Sequence, residues 1–294
     1  MVDAFGVVYR LDESLAPAVW KEPYRSGAAV FRPPAVAGDF VLLGTASDSV
    51  IAVGLADGAW KWSYEHEVSR GSQELAILCA PTPQLRGEEV LAGFSDGALV
   101  GIDLETGVER WVAAVGSGKF PDLQAEPAIA GDTIFAAAFG GPVVALDAST
   151  RSERWRNEEA GASSTLIHDG DFLYMTDARG RLLSLDAATG AQAWVWELPD
   201  TQLGSPALAA SSILVGDASG TLFAVDRWSG KEQWRFRPSD GTRPGGVAAA
   251  PLLDGRQLLF PTAGGTLHSL IAERDAGGDR SEEPSKRADR PLGW

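Results

Sequence analysis

Few residues in the chain could do covalent chemistry, and each of them sits in a pattern that has a structural reading. Gly93-Phe94-Ser95-Asp96-Gly97 matches the G-x-S-x-G spelling of serine hydrolases, in which a strand-to-helix elbow exposes the nucleophile. The corresponding stretch further along is Gly216-Asp217-Ala218-Ser219-Gly220, a hairpin sequence with no helical pattern behind it, so no such elbow is expected. The three histidines, His66, His168 and His268, fall in no H-x-H or H-x-x-x-H pairing that would bring two imidazoles to one metal. Cys79, the only cysteine, lies in the apolar run 75–81 and reads as a buried thiol rather than a nucleophile. Asp103, Asp147, Asp186 and Asp226 recur in step with one another, which predicts a turn-capping role, since a catalytic carboxylate would break the period. No catalytic residue, metal site or cofactor is therefore expected.

The elements that hold these residues come from a repeat. Residues 219–234, SGTLFAVDRWSGKEQW, contain a hairpin glycine (Gly220), an alternating apolar strand, Asp226, a Ser-Gly turn and Trp234. Trp20, Trp62, Trp111, Trp155, Trp194 and Trp234 each follow Asp12, Gly54, Asp103, Asp147, Asp186 and Asp226 by eight residues. Six residues before those positions stand Gly6, Asp48, Gly97, Gly141, Gly180 and Gly220. A third mark, Pro34, Pro83, Pro127, Leu166 and Pro206, lies 28 residues before each Trp from the second onward. Each copy thus reads as four short strands, as in PALAA, SILVGD, TLFAVD and KEQWRF, and four strands about every forty residues predicts a blade of a β-propeller.

The final copy begins at Pro251 and stops after three strands, whereas the N-terminus holds only GVVYRLD and the segment around Trp20. Six copies of the inner strand imply six blades, closed if the N-terminal outer strand completes the last one. That arrangement leaves GVVYRLD unplaced. The alternatives are an open arc of a larger ring, or about seven to eight blades. The expected domain is an all-β propeller over residues 1–272, with 273–294, charged and poor in apolar residues, as a disordered tail. The connection after Trp62, residues 63–76, is the longest and is the expected interaction loop.

The net charge of −15 argues against a nucleic-acid or anionic-membrane surface. The tail carries six acids and five bases, so the acidity belongs to the body. It fits a soluble surface or an acidic face for a basic partner. No apolar run approaches the ~20 residues of a membrane span. The residues MVDAFGVVYR lack a basic n-region, an apolar h-region and a lipid-accepting Cys. A monomer is expected.

The repeat A-x-D-x-x-T-G-x-x-x-W, clearest in GIDLETGVERW, SLDAATGAQAW and AVDRWSGKEQW, resembles that of PQQ-type propeller proteins over about residues 5–271. Quinoprotein alcohol dehydrogenases share the repeat, but they need a vicinal disulfide that one cysteine cannot supply. The order of the distinctive segments, with a long Arg-Gly loop before APT, is more similar to the outer-membrane protein assembly factor BamB family, non-catalytic periplasmic scaffolds that bind the POTRA domains of BamA. That resemblance implies a scaffold at the outer membrane, with a partner surface at Arg70 of the Arg70-Gly71 loop, at its apolar neighbour Val68, and at the hairpin acid Asp177, taken as exposed recognition points. A small-ligand or quinone-binding propeller is the alternative. In either case Asp103, Trp111, Asp147, Trp155, Asp186, Trp194, Asp226 and Trp234 are the structural blade motif.

Overall fold

The computed structural model describes residues 1–3, 5–12, 14, 19–68, 83–238 and 245–271. Every described element of regular structure is a strand, and the strands form seven antiparallel sheets in chain order. The second sheet runs Ala35–Ala37, Phe40–Thr45, Ser49–Gly54 and Trp60–Glu65. The third begins at Gln84–Arg86, the fourth at Ala128–Ala130, the fifth at Ile167–Asp169 and the sixth at Ala207–Leu208, each with four strands in the same up-and-down order. The seventh has three, Leu252–Asp254, Gln257–Pro261 and Leu267–Ile271. The chain divides into two compact units, Met1–Val195 and Trp196–Trp294.

The N-terminal expectation is corrected in two ways. Val7–Val8, the strand left over from a six-blade count, pairs with Tyr24–Arg25 as a first sheet of its own, so the N-terminal pair does not complete the last sheet. Trp20 lies outside any strand; Pro23 follows it closely and has no N–H to give a ladder, so pairing resumes only at Tyr24.

The repeat's parts do the mechanical work their types suggest. The second and third strands of the second and third sheets alternate toward both faces and are buried on both, because sheets stack on either side of them. Leu42, Val50 and Ala52 of the second sheet pack with Val90, Val100 and Ile102 of the third, Leu91 and Leu99 of the third with Ile134 and Val144 of the fourth, and Phe135 and Ala145 of the fourth with Leu173 and Leu185 of the fifth. The outer strand is exposed on alternate residues, except where its Trp turns inward.

Three of the Trp rings dock on the next sheet. Trp20, Trp62 and Trp155 donate Nε1–H to the carbonyls of Leu55, Leu104 and Ala187 at 3.0, 2.8 and 2.9 Å, always one residue past the Asp position of the neighbouring copy. Their rings lie against Gly58, Gly107 and Gly190, where a Cβ would approach within 2.6, 2.7 and 2.4 Å. Those glycines have φ of +69°, +72° and +73°, so both the turn and the docked indole require Gly.

The periodic aspartates cap that same turn. Asp103 Oδ1 accepts Thr106 N–H at 2.8 Å and the Thr106 hydroxyl at 2.7 Å; Asp186 and Asp226 do the same with Thr189 and Ser229, and Asp147 Oδ1 accepts Thr150 N–H and the Ser149 hydroxyl. The Thr106 hydroxyl bond, followed by Arg110, lowers the Asp103 carboxyl to about 2. A carboxyl so depressed adds stability that is complete above its unfolded pKa near ~4 and is lost as pH falls toward about 2. In an NMR titration, Thr106→Ala is expected to move the Asp103 midpoint upward and to shift the onset of acid unfolding to higher pH; an unmoved midpoint would refute the hydroxyl's role.

Candidate functional site

In an up-and-down sheet, the hairpin joining the second and third strands and the connection leaving the fourth strand emerge at the same end. The two described partner positions, Val68 and Asp177, belong to that end. Val68 is half-buried on the connection out of the second sheet, and Arg70, with Cys79, lies outside the described residues. Asp177 opens the hairpin of the fifth sheet.

The root of the connection is pinned to the third sheet. His66 Nε2 sits 3.0 Å from Asp96 Oδ2, and its ring stacks on Phe94 with centroids 4.6 Å apart. Tyr64 donates its hydroxyl to Glu109 Oε2 at 2.6 Å; burial, then that carboxylate, raises its pKa, so it stays a protonated donor. Asp48, which replaces the hairpin glycine of other copies at φ +53°, accepts Ser95 N–H at 2.9 Å and the Ser95 hydroxyl at 2.6 Å. Ser95 is buried in a hairpin closed by Gly97 N–H to Phe94 O at 3.1 Å. The 93–97 segment is thus the hairpin its sister copy suggests, and its serine hydroxyl is a structural donor.

Asp177 differs from its expected state. It is 4% exposed, accepts Arg179 N–H and Arg181 N–H at 2.9 and 3.0 Å, and is held by the Arg181 guanidinium at 2.6 Å. Asp217, in the same slot of the sixth sheet, caps its hairpin through Ser219 N–H and Thr221 N–H at 2.9 and 2.8 Å. The carboxylate at 177 is therefore consumed by its own hairpin, and the charge this hairpin exposes is Arg179. The signal available in the sequence was Arg181, four residues on and across the turn.

A cavity of about 280 Å³ opens beside this hairpin, lined by Phe120, Phe139, Glu159, Asp177, Arg179 and Arg181 among others. Phe120 and Phe139 meet edge to face at 6.3 Å, and the Lys119 ammonium lies 5.3 Å from the Phe120 ring. The surface combines an aromatic floor, two guanidinium groups and a carboxylate rim. Its makeup suits side-chain recognition of a protein partner.

A family model described as outer membrane protein assembly factor BamB, a PQQ-repeat model, matches residues 1–196 and 176–289. The chain belongs to that family. The BamB of Moranella endobia is 25% identical over 272 residues, covering 90% of this chain and 67% of that protein. The crystal structure of BamB from Moraxella catarrhalis superimposes with a TM-score of 0.79 at 21% identity, covering 90% of this chain and 79% of that one, and establishes the all-β propeller fold. Quinohemoprotein alcohol dehydrogenase from Comamonas testosteroni superimposes with a TM-score of 0.63 at 16% identity, covering 84% of this chain and 53% of that one; it shares the fold. The chain spans 66–67% of the length of the BamB relatives matched over 272 residues.

Proposed function

We propose that this chain is a non-enzymatic scaffold in the assembly of outer-membrane β-barrel proteins, working at the periplasmic side of the outer membrane. It docks a POTRA-type domain of a BamA partner through the hairpin end of its sheets. The observation that carries this reading is the BamB family match over nearly the whole chain. The site supports it: the described residues at this end serve as anchors (His66, Ser95, Asp48, Asp177) or as recognition groups (exposed Arg179, half-buried Phe120), and the family resemblance adds Arg70. Among the described residues no helix is long and apolar enough to cross a membrane.

Titrating the purified chain with a BamA POTRA fragment tests the proposal. Arg70→Glu is expected to weaken binding about tenfold, or roughly 1.4 kcal/mol, with no change in thermal midpoint. Absence of binding by the wild-type chain, together with thermal stabilisation by pyrroloquinoline quinone and calcium, would replace the scaffold with a ligand-binding propeller.

A further inference from the structure

The opposite end of the sheets, where the Asp turns lie, carries a larger cavity of about 740 Å³ between the fourth and fifth sheets. Its wall is aromatic: Phe135 stacks on His168 at 5.5 Å and tilts against Trp155 at 5.9 Å, with Phe172 alongside. His168 occupies the first-strand slot held by Val36, Leu85, Ile129, Leu208 and Leu253 in the sister copies, so an apolar position has become polar only here. Asp171 and Asp186 line the rim.

Asp186 lacks something its sisters have. Asp103, Asp147 and Asp226 each use Oδ1 for the turn and give Oδ2 to the residue seven positions on: Arg110, Arg154 at 2.6 Å, and Gln233 at 3.1 Å. Asp186 Oδ1 is likewise taken by Ala188 N–H, Thr189 N–H and the Thr189 hydroxyl at 3.0, 2.8 and 2.8 Å. Seven residues on, however, stands Ala193, which has no donor to offer. The cavity's own cation, Arg154, is already shared between Asp132 at 2.8 Å and Asp147 at 2.6 Å. The place that Arg110 and Arg154 fill in their sheets is thus open beside Asp186.

We propose that this cavity binds an arginine side chain of an extended polypeptide, whose guanidinium takes the missing position on Asp186 Oδ2 while its stem lies against Trp155 and His168. Arginine fits better than lysine, because a planar fork both pairs with a carboxylate and stacks on aromatic faces. A polypeptide fits better than a small cation, because the volume lies within the range of about 300–1,000 Å³ of pockets that enclose ligands larger than one side chain. The Thr189 hydroxyl bond lowers the Asp186 carboxyl below its ordinary value, so the acceptor is charged at neutral pH. The inference does not depend on the hairpin-end reading.

The test is calorimetric titration of the full chain at low salt with three probes: the capped pentapeptide acetyl-Ser-Ile-Arg-Ile-Ser-amide, its Gln counterpart, and acetyl-arginine-amide. The arginine peptide is expected to bind at least tenfold more tightly than either of the others. Ala193→Arg, at an exposed position, supplies the missing cation in cis and is expected to weaken the peptide at least tenfold with no loss of thermal midpoint; Asp186→Asn should weaken it equally. No binding of the arginine peptide, equal binding of the Gln peptide, or unaltered affinity in Ala193→Arg would overturn the site. Equal binding of acetyl-arginine-amide would overturn the polypeptide as its ligand.

Discussion

Trp62→Ala lowers the thermal midpoint of the chain by about 10 °C, while Trp60→Ala two positions earlier leaves it within about 2 °C. The contrast follows from where the two indoles go. Trp62 is 5% exposed and Trp60 57%. Trp62 carries the joint between the second and third sheets: it donates to Leu104 O at 2.8 Å and lies on Gly107. Truncating a buried Trp costs about 3–5 kcal/mol through lost contact and the cavity left behind, and each kcal/mol is worth about 2–4 °C in a unit of this size. Gly107→Ala attacks the same joint from the other side, since its Cβ would stand 2.7 Å from the ring at a φ of +72°. Scanning calorimetry of both variants should give losses that do not add, because each breaks one contact. Additive losses would mean that the Trp and the turn glycine stabilise the fold separately.

What recurs was legible in the sequence. The hairpin glycines, the Asp turns and the Trp comb each appear several times, so their spacing alone located four-stranded sheets, and the structure shows the capping and docking those residue types imply. Strand ends at the N-terminus were not legible, because a single Pro23 displaced pairing from Trp20 to Tyr24 and no second copy existed to reveal it. The exposure of Asp177 was not legible either. Whether a hairpin carboxylate faces solvent or its own backbone depends on a cross-turn partner, here Arg181, and the sister Asp217 shows that the inward state is the rule of the slot. Arg70 and Val68 came from family likeness alone, and no periodicity points to either of them.

The departures from the repeat carry the rest, and they are readable only against it. Asp48 replaces a glycine and ties two hairpins together through Ser95. Ala193 replaces a donor and leaves Asp186 with a vacant oxygen. In each case the missing or added group has its counterpart in a neighbouring sheet, which a single copy cannot show.

The largest such departure predicts that Glu89→Ala lowers the midpoint by about 8 °C and that Arg151→Gly, added to it, restores most of the loss. At the joint between the third and fourth sheets, Arg151 stands where other copies have the turn glycine, at φ +63°. Trp111 therefore does not dock as its sisters do. It donates to Glu89 Oε1 at 2.5 Å, and the Arg151 guanidinium covers its ring at 4.4 Å while bonding Glu89 at 3.0 Å. Gly101 takes the place of Ala52 and Ala145 because a Cβ there would lie 2.2 Å from the Trp111 nitrogen. Three departures thus meet at one point and each makes sense of the others. Removing Glu89, 4% exposed, strands a largely buried guanidinium and an indole N–H, a loss of about 3 kcal/mol at the low end for broken buried pairs, because Arg151 keeps 22% exposure. Gly at 151 removes the stranded cation, relaxes the left-handed turn and reopens the docking place that Trp62 and Trp155 use on their neighbours. A double-mutant cycle by thermal unfolding should therefore give a coupling of about 2 kcal/mol; a coupling near zero would show that Glu89 and Arg151 serve separate ends.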